Sequence, residues 1–106
     1  MKIQDTLAVI TGGASGLGNS VAQHLVAQGA KVALLDVQEG PGQAAATALG
    51  AKASFAKCDV TSETEVNAAM AIARERMGGI NLLVNCAGVM GAGRVLGKNG
   101  PMAADF

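Results

Sequence analysis

Residues 7–18 read Leu-Ala-Val-Ile-Thr-Gly-Gly-Ala-Ser-Gly-Leu-Gly, an apolar run that passes without interruption into spaced glycines. An unbroken apolar stretch of this length suits a parallel strand covered on both faces. Past the glycines, Leu17, Val21 and Leu25, with Ala22 and Val26, form a stripe at helical period that stops at Gly29. A second apolar run, 32–35, then ends on an acid, Asp36, eighteen positions beyond Gly18. Strand, glycine turn, helix, strand and acid in that order constrain the chain to a βαβ unit of the kind that holds a dinucleotide. Gly12 permits the tight turn, Gly16 lets backbone approach the pyrophosphate, and Gly18 lets the helix pack closely on the strand. The helix N-terminus offers free N–H groups and the positive end of its dipole to phosphates. Asp36 stands where its carboxylate can accept hydrogen bonds from a ribose diol.

The rest of the chain continues the alternation. The spacing predicts strands over Leu7–Thr11, Lys31–Asp36, Ala53–Lys57 and 80–85. A short helix is expected over 41–50, with Pro41 in its first turn and Gly50 at its end. A third helix opens with Ser62 and Glu65 in a capping box and presents Val66, Met70, Ala73 and Met77 as its apolar face. Gly78 and Gly79 end it. The fourth strand is apolar almost throughout and should be covered on both faces. After Gly88, glycines 91, 93, 97 and 100 with Pro101 break any periodicity. The chain therefore divides into a βαβαβαβ unit over 1–90 and a glycine-rich loop over 91–106, and the unit should be a parallel sheet with right-handed crossovers.

Bulk composition removes several classes of function. Lys and Arg total 8 and Asp and Glu total 8, so there is no basic face for nucleic acid. Two Phe and no Trp or Tyr leave no aromatic platform for base stacking. No apolar run reaches membrane-spanning length and the first residues lack a signal-peptide core, which fits a cytoplasmic protein. An organellar form with its transit peptide removed would look the same. No metal-ligand cluster and no Ser/His/Asp set is spaced for catalysis. A P-loop is excluded because no Lys-Ser/Thr follows Gly18.

The spacing Thr11-Gly12-x-x-x-Gly16-x-Gly18, together with Asn85-Cys86-Ala87-Gly88 after the fourth strand and Asp59-Val60 after the third, resembles the short-chain dehydrogenase/reductase family. Asn-Cys-Ala-Gly and the loop Gly97-Lys98-Asn99-Gly100-Pro101 are most similar to its short-chain (type II) 3-hydroxyacyl-CoA dehydrogenases. The resemblance implies a Rossmann-type doubly wound α/β sheet in the order 3-2-1-4. In that topology Cys58 and Cys86 end strands three steps apart, about 14 Å, beyond the roughly 7 Å limit for a disulfide. It further implies NAD as cofactor and a secondary alcohol or ketone as substrate, with an acyl-CoA as the best candidate, in a homotetramer.

Residue by residue, the resemblance places Gly12, Ser15, Gly16, Leu17 and Gly18 at the pyrophosphate and its ribose, and Asp36 on the adenosine ribose. Asp59 and Val60 would meet the adenine, and Cys86, Ala87 and Gly88 would border the second ribose. Asn85 would tie down its strand. Asp36 would repel a 2′-phosphate, and neither Ser15 nor Val37 is basic, so NAD is expected over NADP. The family's proton transfer uses a tyrosine with a nearby lysine and serine, and this chain has no tyrosine. The expectation is a truncated cofactor-binding half with no catalytic residue of its own, inactive alone. The alternatives are a nucleotide-binding or interaction module that catalyses nothing and, against the glycine spacing, a methyltransferase.

Overall fold

The computed structural model describes residues 2–14 and 16–86. After a 3-10 turn at Ile3–Asp5, the chain forms β1 (Leu7–Thr11), α1 (Gly16–Ala27), β2 (Lys31–Asp36), α2 (Glu39–Leu49), β3 (Ala53–Lys57), α3 (Glu63–Met77) and β4 (Leu82–Asn85). All pairings are parallel and the order is β3-β2-β1-β4, as expected. Winding reverses at β1, which pairs with β2 on one side and β4 on the other. Thr11 is level with Leu35 and with Asn85, so the carboxyl ends of the strands share one rim. Open sheets of this kind bind ligands at such a reversal.

Alternate residues of each inner strand feed opposite cores. Ala8, Ile10, Val32, Leu34 and Phe55 pack with Ala22 of α1 and Ala46 of α2. Val9, Ala33, Leu35 and Cys58 pack with Ala69, Ala73 and Met77 of α3. Burying an Ile or Leu side chain of this kind contributes roughly 1.5–3 kcal/mol. Small residues on the helices let them approach the sheet. The clearest case is Gly42, where a Cβ would lie 2.6 Å from Cζ of Phe55 and overlap the rest of its ring edge. That contact seats α2 on β3.

Several details depart from the expected pattern. Leu17 is 65% exposed and leaves the α1 stripe to Val21, Ala22, Leu25 and Val26, because its position in the first turn faces the rim and not the sheet. Helix α2 begins two residues before Pro41, at Glu39. Strand β4 begins at Leu82; just before it Asn81 N–H donates to the Leu7 carbonyl (2.9 Å), while its side-chain Oδ1 accepts from Leu7 N–H (2.7 Å) and Nδ2 donates to the Asp5 carbonyl (3.0 Å). Among the described residues only one face of β4 is covered. Leu82 and Val84 pack on the α1 side, whereas α3 lies over β3, β2 and β1 and leaves Leu83 56% exposed. The expected loop over 91–106 and the end of the 1–90 unit lie outside the described residues. Among the described residues no helix is long and apolar enough to cross a membrane.

The Gly42–Phe55 contact carries a stability prediction. Gly42→Ala should destabilise the chain by about 1–3 kcal/mol through overpacking. Combining it with Phe55→Leu should cost less than the sum of the two single changes, measured by urea denaturation.

Candidate functional site

The turn after β1 is welded to the end of β2. Gly12 N–H donates to the Leu35 carbonyl at 2.7 Å, extending the sheet by one bond past Thr11. Gly12 takes φ = 72°, a left-handed value that a side chain would disfavour. Helix α1 then starts so close beneath the turn that a Cβ on Gly18 would strike the Gly12 carbonyl, with Gly12 C at 2.8 Å and Gly13 Cα at 3.1 Å. At Gly16 the opposite holds: a Cβ there would meet nothing within 4 Å, so that backbone faces open space. One glycine of the turn makes the packing possible, and another leaves the helix N-terminus approachable.

Asp36 ties three segments together. It ends β2, its Oδ2 accepts from Ala14 N–H of the glycine turn (3.1 Å), and its Oδ1 accepts from Gln38 N–H ahead of α2 (3.0 Å). It is 8% exposed, yet it lines the open cavity at the rim. A carboxylate accepts up to about four hydrogen bonds, so two backbone donors leave capacity for a diol.

Across the rim, Asp59 follows β3. Its Oδ1 accepts from both the amide (2.9 Å) and the hydroxyl (2.6 Å) of Thr61, and those bonds, the hydroxyl's first, hold its carboxyl below the usual range. Cys58 beside it is buried at the floor, where desolvation, with Glu65 and Asp59 adding to it, pushes the thiol up. Burial likewise raises Cys86. Both cysteines are free and their thiols stay protonated at neutral pH, so neither is an activated nucleophile. Thr11 Oγ1 donates to Asn85 Oδ1 at 2.7 Å and ties β4 to β1 beside the turn.

These segments enclose a cavity of about 450 Å³, within the range typical of small-molecule sites. Gly12, Gly16, Leu17, Gly18, Asp36, Asp59, Val60 and Cys86 all line it. Ser15, Ala87 and Gly88 lie outside the described residues. Four lining residues were not anticipated as such: Leu35, Val37, Gln38 and Cys58. Each is a chain neighbour of Asp36 or Asp59 or follows directly from one, so the signal was adjacency to a residue already chosen. Leu17, Val37 and Val60 are 65%, 52% and 38% exposed and give the cavity an apolar lip. Its described lining holds two carboxylates and no Lys or Arg. Among the described lining residues, an anion would therefore meet only backbone amides and the α1 dipole, and a further negative charge beside Asp36 would be unfavourable.

The family described as short chain dehydrogenase matches residues 6–102. The 3-hydroxyacyl-CoA dehydrogenase type-2 of Rattus norvegicus is 52% identical over 88 residues, 83% of this chain and 34% of that protein. A solved short-chain dehydrogenase/reductase from Burkholderia phymatum, in complex with NAD, matches with a TM-score of 0.74 at 32% identity, covering 78% of this chain and 31% of that one. The 3-ketoacyl-(acyl-carrier-protein) reductase from Brucella melitensis, complexed with NADH, gives 0.75 at 29% identity, covering 77% and 34%. The chain spans about a third of the length of the curated relatives it matches.

Replacing the Asp36 carboxylate tests the three-way tie. Asp36→Ala leaves the Ala14 and Gln38 amides without their acceptor, and chemical denaturation should show a loss of about 1–3 kcal/mol. Asp36→Asn, which keeps one carbonyl oxygen, should lose less.

Proposed function

Because this chain belongs to the short-chain dehydrogenase family, we propose that it is the cofactor-holding part of an NAD-dependent oxidoreductase acting on a secondary alcohol or its ketone. The observation that carries this reading is the cavity at the sheet's reversal point, with a glycine turn on one side and Asp36 at the end of β2. Gly12, Ser15, Gly16, Leu17 and Gly18 hold the pyrophosphate against the α1 N-terminus. Asp36 takes the adenosine ribose hydroxyls, Asp59 and Val60 seat the adenine, and Cys86, Ala87 and Gly88 border the second ribose. NAD, when bound, supplies the site that accepts or gives the hydride.

The fit rests on three features of this chain. The backbone at Gly16 is open where a phosphate must approach. Asp36 lies on the cavity with acceptor capacity left over. The lip is apolar where a flat heterocycle would lie. No Lys or Arg is among the described lining residues, which favours NAD over NADP, since none of them would neutralise a 2′-phosphate beside Asp36.

The substrate we assign is a 3-hydroxyacyl-CoA, on the likeness to the dehydrogenases of that name. A homotetramer, on the family resemblance, and a cytoplasmic location, on the apolar pattern of the sequence, complete the reading. With no tyrosine among its 106 residues, the chain holds no group for the family's proton transfer. That one count favours a second reading, a nucleotide-binding module without catalysis.

Calorimetry on the 106-residue chain should show NADH binding at least about tenfold more tightly than NADPH. Equal affinities would overturn the choice of cofactor, and tighter binding of S-adenosylmethionine would overturn the dehydrogenase reading. No NADH should be oxidised with acetoacetyl-CoA by this chain alone. Turnover appearing when a polypeptide carrying the family's tyrosine is added would favour the first reading over the second.

A further inference from the structure

We propose that Glu65 is a positioning residue for the adenine end of the cavity: by holding the Asp59 amide, its carboxylate fixes where Asp59 and Val60 stand. The proposal rests on the dinucleotide reading above and concerns a residue that does not line the cavity itself.

The sequence pattern assigns Glu65 a different partner. In a capping box the third helical residue reaches back to the amide of the cap residue, here Ser62. Half of that box is present, since Glu65 N–H donates to Ser62 Oγ at 3.3 Å. The other half is diverted. Ser62 N–H donates to the Asp59 carbonyl at 2.9 Å, and the Glu65 carboxylate instead accepts from Asp59 N–H at 3.0 Å.

The position of that amide gives the bond its consequence. Cys58 N–H donates to the Asp36 carbonyl, and this is the last bond tying the chain after β3 to the sheet. Asp59 N–H is the next amide along, the first one the sheet does not hold. Glu65 therefore carries the anchoring one residue further, to the segment whose side chains line the cavity. With the Asp59 carbonyl on Ser62 and Oδ1 on Thr61, both backbone groups of Asp59 and one carboxylate oxygen are fixed inside the loop. Oδ2 takes no part in those bonds and is the oxygen left for a ligand amine. Rigid placement of this kind matters because a hydrogen bond to a ligand weakens when its acceptor must first be ordered.

Helix stability and loop placement make different predictions, which three variants separate. Glu65→Ala removes the acceptor, Glu65→Gln keeps a carbonyl oxygen, and Ser62→Ala removes the helix cap while leaving the Asp59–Glu65 bond. Glu65 is exposed, so its variants are expected to fold. The measurements are AMP affinity by calorimetry and amide hydrogen exchange at Asp59 by NMR in the free 106-residue chain. Glu65→Ala should weaken AMP roughly tenfold and speed Asp59 exchange, and Glu65→Gln should restore most of both. Ser62→Ala should lower Tm without loss of AMP affinity. Unchanged AMP affinity in Glu65→Ala, or an equal loss in Ser62→Ala, would overturn the proposal. If the wild-type chain binds no AMP, the dinucleotide reading falls. Asp59 exchange then decides by itself whether Glu65 positions the loop, and an unchanged rate in Glu65→Ala would refute it.

Discussion

The closeness of α1 to the turn that precedes it is the constraint on which the site depends. With Gly18 lacking a Cβ, the first turn of the helix rests directly on the Gly12 backbone. The Gly12 amide can then reach Leu35 and continue the β1–β2 pairing past the end of the strand. Any side chain at Gly18 would lever the helix away from the rim. The amides at its N-terminus would then no longer face the space above Asp36. Cavity shape and the closeness of the helix end to the rim are thus consequences of one steric fact.

Asp36 converts that packing into a connected rim. Its two carboxylate oxygens bind backbone amides on either side of β2, one in the glycine turn and one ahead of α2. A residue that would face a ligand is in this way also part of the frame that places its neighbours. The opposite wall is built the same way, since the Asp59 carboxylate binds Thr61 within its own loop. Acids at the carboxyl ends of β2 and β3 therefore serve as local staples and as the cavity's hydrogen-bond acceptors. Their negative charge is tolerated because both remain close to solvent or to backbone N–H dipoles.

Much of this was legible in the sequence, and the reasons are physical. Strands β1 and β2 match their expected limits because unbroken apolar runs bounded by Gly, Lys or Asp leave little choice of where they begin and end, and β3 matches although Ser54 interrupts its run. The glycine turn and the acid at position 36 were read from their spacing, whereas strand order and the rim residues Asp59, Val60 and Cys86 came with the family resemblance. What escaped notice was decided by contacts between distant segments. Gly42 reads as an ordinary helix residue until the Phe55 ring is found where its Cβ would stand. Asn81 reads as part of β4, but only its N–H joins the sheet, at the Leu7 carbonyl, and its side chain takes the Leu7 N–H and the Asp5 carbonyl. Leu17 satisfies the helical stripe numerically, yet it sits where α1 overhangs the rim. Periodicity identifies a face of a helix and does not say how far along that face the sheet extends.

The balance of charge at the rim argues for what the site selects. Under the proposed reading, phosphate groups would be met by oriented amides, whose field is fixed by the backbone and needs no counter-charge of its own. Such a device suits a pyrophosphate lying across the helix end and gives nothing to a phosphate displaced toward β2. There the nearest ionisable group is Asp36, and the residue after it is Val37, apolar and exposed. A hydroxyl pair gains acceptors at that point, whereas a phosphomonoester meets a second anion with no cation among the described lining residues. In the proposed reading, discrimination between the two dinucleotides would therefore come from an unfavourable pairing at the end of β2, the attractive part of the site being common to both.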